Sequence, residues 1–167
     1  MTFYTFFYNI CCTGRSKKID YKELDRRISE VFGLGQNCVF TLTLDKHGTL
    51  LEFAYPPKLI KNKVPVDNKT VVGRAVIAKR PYISNNIQKE SGSVILNCLM
   101  AMGTTPVQKS ITYPIVMGER VIAVIQVVRK GENISDVVDF QKEDLEKIKS
   151  VLDDLFTLHV VKPAAGE

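Results

Sequence analysis

The sequence has 167 residues, 45% of them apolar and 25% charged, with a formal net charge of +5. A chain of this size and balance can bury a core of its own, and it fits one compact domain with a helix to spare at either end. Acidic residues such as Asp20, Glu23, Asp25, Glu143 and Asp144 are interspersed with the basic ones, which argues against a dedicated nucleic-acid binder.

Phe3, Phe6, Phe7 and Ile10 recur at helical spacing and Gly14 supplies a stop, so residues 1–18 predict a short packing or dimerisation helix with one apolar face. The stretch has no basic residue before it and no small-residue cleavage site after it, so it does not read as a signal peptide. It also falls short of the roughly 20 apolar residues that a membrane span needs. The expectation is a cytoplasmic protein with no membrane partner. A second helix begins at Asp20, with Glu23 placed for a capping box and Leu24, Ile28, Val31 and Phe32 forming an apolar stripe up to Gly33.

Residues 38–44 and 49–54 alternate about a turn at 45–48 and predict a β-hairpin. Pro56 and Pro57 interrupt regular structure, and Pro65 limits residues 64–66 to a short or edge strand, because proline cannot donate to a ladder. Asn68 or Thr70 caps the next helix, whose apolar positions are Val71, Val72, Ala75, Val76 and Ala78. After Pro81 comes a brief strand at 82–84, then a loop. Leu96, Leu99, Met100 and Met102, between Gly92 and Gly103, fit a short helix or a strand. Residues 110–116 and 121–128 around the turn 117–120 make the clearest hairpin, its second arm apolar enough for a central strand. A final helix carries Leu145, Ile148, Val151, Leu152, Leu155 and Phe156, and residues 160–167 read as a flexible tail. No repeat or linker divides the chain, so 1–167 is expected to form a single α+β domain, one antiparallel sheet with terminal helices on one face.

Chemistry is sparse. The four cysteines lack metal spacing, with Cys11 and Cys12 adjacent and Cys38 and Cys98 isolated; His47 and His159 have no evident cysteine or carboxylate partner. No nucleophile with its base, carboxylate pair or phosphate-binding glycine loop can be assembled, so neither catalysis nor a metal is expected. One basic stretch, Lys58, Lys61, Lys63, Lys69, Arg74, Lys79 and Arg80 opposed by Asp67, is either a solvated surface or an attraction for an anionic ligand or partner.

Three segments together resemble the GAF family of sensory domains. They are residues 66–76 followed by 79–85, with Gly73 inside a helix and a basic-proline turn at Arg80 and Pro81; the paired strands 110–115 and 121–127; and the helix start at 140–145. The resemblance covers about residues 19–156. It implies a profilin-like fold with about six antiparallel strands, terminal helices on one face and a lidded ligand pocket on the other, roofed by residues 85–108. Residues that could line such a pocket are Tyr55, Arg74, Ser84, Asn85, Ser110, Thr112 and Gln126, set among Phe53, Ile83, Leu99 and Met102. An apolar pocket with a few orienting polar groups is a binding site by default.

The family's cyclic-nucleotide binders carry an asparagine-lysine pair, a later phenylalanine and an aspartate-glutamate pair. Lys130, Phe140 and Asp144 match that pattern, but Arg129 and Leu145 replace the other two, which speaks against a cyclic nucleotide. Bilin attachment would need a cysteine beside a histidine, which is lacking. The function expected is a non-catalytic sensor that needs no cofactor, binds an unknown small molecule and signals through its terminal helices, as a homodimer, to an output domain or partner protein. The alternatives are a dimerisation scaffold without ligand, and a free methionine-sulfoxide reductase-like enzyme resting on Cys98.

Overall fold

The computed structural model describes residues 19–90 and 105–158. The expected helix within 1–18, the segment with Leu99 and Met102, Cys98, and the tail 160–167 lie outside these residues.

Helix α1 (Tyr21–Phe32) starts where the sequence places it, because the Asp20 carboxylate accepts from the Lys22 and Glu23 backbone N–H groups at 3.0 and 3.1 Å. The second half of the expected capping box does not form. Glu23 turns along the helix instead, meeting Arg26 at 2.7 Å and Arg27 at 2.8 Å. Gly33, at φ 62°, ends the helix in the left-handed conformation, and Leu34 N–H reaches back to Ser29 at 2.8 Å.

Strands β1 (Val39–Leu44) and β2 (Leu50–Tyr55) form the first hairpin. Its turn is held by Asp45, whose carboxylate accepts from Thr49 N at 2.8 Å and Leu50 N at 3.1 Å. Strand β3 (Lys63–Pro65) pairs with β2 at the sheet margin, where Pro65 loses no ladder bond. Thr70, rather than Asn68, caps α2 (Val71–Ala78), its hydroxyl accepting from Gly73 N at 3.0 Å. Strand β4 (Tyr82–Ser84) follows, then the long hairpin β5 (Val107–Met117) and β6 (Arg120–Lys130), longer at both ends than the alternation suggests. Gly118, at φ 59°, supplies its tight turn. Helix α3 (Lys142–Leu158) closes the described chain.

The six strands form one antiparallel sheet in the order β3-β2-β1-β6-β5-β4. Its two faces bury separate cores. On one, α1 and α3 cover Val39, Ile111, Ile115, Ala123, Ile125 and Val127 with Leu24, Ile28, Ile148 and Leu152. On the other, α2 and the 3-10 turns Pro57–Leu59 and Ile87–Lys89 bring Val72, Val76, Leu59 and Ile87 over Phe40, Leu42, Phe53, Val124 and Val128. Helices α1 and α3 share one face, as expected; of the roof expected at residues 85–108 over the other face, residues 91–104 lie outside the described residues, and α2 with the two 3-10 turns covers the described part.

Candidate functional site

Strand register assembles the floor under α2. Cross-strand partners share a face, so Tyr82, Thr112, Gln126 and Phe40 make one row across β4, β5, β6 and β1. Ser84, Ser110 and Val128 make the adjacent row. These polar side chains lie on β4, β5 and β6 and are almost wholly removed from solvent: Thr112 is 0% exposed, Ser110 2%, Gln126 3% and Ser84 6%. Gln126 Nε2 donates to Thr112 Oγ1 at 3.0 Å. Gln126 Oε1 and Ser110 Oγ are buried with no hydrogen-bond partner among the described residues. A buried polar atom left unpaired costs about 1–3 kcal/mol, and native structures settle such atoms with water or ligand.

The helix that covers this face, α2, is seated by backbone contact. A Cβ added to Gly73 would lie 2.0 Å from the Asp67 carbonyl oxygen, so glycine lets α2 press against the loop that precedes it. The close approach that Gly73 permits is to this loop. Arg74, on α2, pairs with Glu90 at 3.0 Å, linking the helix to the end of the turn Ile87–Lys89.

At the far end of β5 and β6, the segment between β6 and α3 forms a strap bonded at nearly every step. Gln108 Nε2 donates to the Gly131 carbonyl at 2.8 Å. Lys109, only 5% exposed, donates to the Val137 carbonyl and pairs with Asp139 at 2.6 Å. Arg129 donates to the Val138 and Asp139 carbonyls at 3.0 and 2.8 Å, and its guanidinium lies 4.1 Å above the Phe140 ring. Asn85 forms a two-way bridge with Phe140: Nδ2 donates to the carbonyl at 3.1 Å and Oδ1 accepts from the N–H at 2.8 Å. Phe140 also meets Phe32 of α1 edge-on at 6.0 Å. Phe140 thus joins three parts of the chain, its ring meeting the end of α1 and its backbone bonding the residue after β4, just before α3 begins.

Two surface hollows lie away from the floor. An open groove of about 550 Å³ runs along α1 past Asp25, Ser29, Leu34 and Tyr55. A cleft of about 230 Å³ at the sheet edge is bounded by Tyr113, Pro114, Lys142 and Leu145. Cys38 is buried, and its thiol is pushed up by that burial against the pull of Lys130, so it is a poor nucleophile. Among the described residues no group of His, Cys, Asp and Glu could hold a metal, and no described helix is long and apolar enough to cross a membrane.

The GAF domain family model matches residues 23–153. The chain belongs to the GAF domain family. No curated protein matches it by sequence. Among solved structures it is similar to residues 122 to 287 of a methyl-accepting chemotaxis protein, at 17% identity and a TM-score of 0.60, over 84% of this chain and 85% of that one. The GAF domain of a two-component sensor histidine kinase from Bacillus halodurans matches at 14% identity and a TM-score of 0.57, over 81% and 90%. A GAF domain/HD domain protein from Geobacter sulfurreducens matches at 12% identity and a TM-score of 0.56, over 83% and 91%. At these identities the likeness is one of fold. GAF domains are generally sensory or regulatory and non-catalytic.

Within this GAF domain, Ser84, Ser110, Thr112 and Gln126 come together on the α2 face, with Phe53 farther along that face on β2 and Arg74 in its cover. Three other sequence-named residues do not join them. Tyr55 turns to the α1 side and Ile83, paired with Ile111, packs against the helical core. Asn85 spends both ends of its amide on Phe140. Of the residues shared with the cyclic-nucleotide pattern, Phe140 is the strap's plug. Burial pushes the Asp144 carboxyl up, but hydrogen bonds from Lys147 and the Gln141 N–H outweigh this and hold it below the ordinary range. Lys109 and Arg129, the strap's main clamps, were not among the sequence candidates; a lysine between apolar strand positions was the signal available.

Proposed function

We propose that this GAF domain is a non-catalytic sensory module which spans the chain, binds a small molecule against the floor formed by Ser84, Ser110, Thr112 and Gln126, and signals through its terminal helices. The observation that carries this reading is the pair of atoms, Gln126 Oε1 and Ser110 Oγ, that are buried without a partner among the described residues, on the face that also carries the apolar cluster under α2. A purely structural sheet face gains nothing from them, whereas a bound molecule would pair them. No cofactor is needed for this role. Transmission is supported by Phe140, which ties the end of β4 to both α1 and α3. We further propose that the protein acts in the cytoplasm as a homodimer through these helices, passing its state to an output domain or partner protein.

The test is thermal unfolding across a library of small metabolites, with hits mapped by NMR. A ligand at about 100 times its Kd stabilises by about 2.7 kcal/mol, a shift of several degrees. Hits that perturb Thr112 and Gln126 support the proposal. Hits that map only to the α1 groove would remove it.

A further inference from the structure

We infer that the cleft at the margin of β5 is a second binding site, separate from the α2 face, and that it takes a small carboxylate with an apolar body.

The cleft exists because the sheet is uneven there. Strand β4 is three residues long and its pairing stops at Tyr82 with Thr112, whereas β5 runs on to Met117. The end of α2 and the first turns of α3 flank the uncovered part of β5, and a hollow of about 230 Å³ lies between them. An added strand fits this margin badly, because Pro114 has no N–H and the register breaks between Ile115 and Val116. A small molecule does not depend on that ladder. Drug-sized ligands occupy pockets of about 300–1,000 Å³, so the occupant here is smaller than they are.

The lining sets its chemistry. Pro81, Tyr113, Pro114, Val116 and Leu145 make the walls, which favour a hydrocarbon body. The charged side chains of the cleft are Lys79, Lys142 and Glu146. Lys79 closes α2, and its ammonium donates to the Glu119 carbonyl at 2.5 Å, a bond that holds the charge in place without neutralising it. Lys142, the first residue of α3, has no ion-pair partner among the described residues, and neither has Glu146. Glu146 stands one turn beyond Lys142 on the same side of the helix. Two ammonium groups against one carboxylate leave the cleft attractive to an anion. A carboxylate matches that small excess, whereas a phosphate carries more charge and calls for more donors. Such an occupant would touch the end of α2 and the start of α3 together, so it would link the helix that covers one face of the sheet to a helix that covers the other.

Hexanoate and hexylamine, equal in chain length and opposite in charge, test the inference by NMR titration of the full chain. Hexanoate is expected to shift Tyr113, Val116 and Leu145 and to bind about tenfold tighter than hexylamine. Lys142→Gln is expected to weaken hexanoate about threefold, and Glu146→Gln to tighten it by about as much. Both replacements are at exposed positions, and their opposite signs separate a site that reads charge from a merely apolar crevice. Hexylamine binding as tightly as hexanoate, or both variants leaving hexanoate unchanged, overturns the inference. Hexanoate that shifts only Ser110, Thr112 and Gln126 overturns it as well, because the anion then sits under α2.

Discussion

The floor under α2 and the strap between β6 and α3 are both rich in buried polar groups, yet they are built on opposite plans. In the strap, the amide of Asn85, the ammonium of Lys109 and the guanidinium of Arg129 each end on the strap's own atoms. In the floor, Gln126 and Ser110 each keep an atom that nothing in the described protein answers. Matched groups hold two parts of a chain together; unmatched ones lower stability and persist where binding repays them. One hydroxyl departs from this division: Thr41 Oγ1, on the helical face opposite Ile125, also has no partner among the described residues.

The comparison can be broken by substitution. The largest effect is expected at Gly73, because Gly73→Ala drives a Cβ to 2.0 Å from the Asp67 backbone and must unseat α2; urea unfolding should show a loss of about 3 kcal/mol or no folded protein. Asn85→Ala strips both backbone groups of Phe140 of their partner, and about 2 kcal/mol should go in the same measurement. A smaller loss, about 1 kcal/mol, is expected from Asp20→Ala, which removes the α1 cap.

Acid should act next, and weakly. Hydrogen bonds from Arg26 and Arg27 pull the Glu23 carboxyl from its ordinary 4.5 down to about 2. A carboxyl lowered in the folded state contributes stability above its unfolded value, and the contribution disappears as pH falls through the folded one. Denaturant midpoints measured from pH 5 to pH 2 should therefore decline more gently in Glu23→Gln than in the wild type.

The sharpest contrast carries the smallest effect. Replacing the floor pair together, Thr112→Val with Gln126→Leu, removes a hydrogen bond and an orphan atom at once, so stability should change by less than about 1 kcal/mol or rise. A loss equal to that of Asn85→Ala would show that floor and strap do not differ in kind.

Legibility in the sequence followed the range of the interaction. The α1 cap, both hairpins, the Pro65 edge strand and α3 are local in origin, and their residues announce them through period, cap and turn. Ser110, Thr112 and Gln126 are named through the pocket that the family resemblance implies, and strand pairing puts them on one face. Tyr55 shows where alternation fails. It follows Phe53 by two residues and should share its face, but β1 and β2 pair through a bulge, Thr41 with Tyr55 and Leu42 with Phe53, and the extra residue turns Tyr55 over. The strap left no local signature, since Asn85 and Phe140 meet across 55 positions of chain.

The two margins of the sheet bear on how the protein meets others in a crowded solution. Each ends in a strand of three residues, one carrying a lysine and a proline, and the part of β5 that outruns β4 contains Pro114 and then an irregular step at Ile115 and Val116. Short, bent and proline-bearing borders give a foreign strand little to zip onto. Runaway stacking of copies edge to edge is thereby discouraged, and recognition is left to surfaces made of side chains.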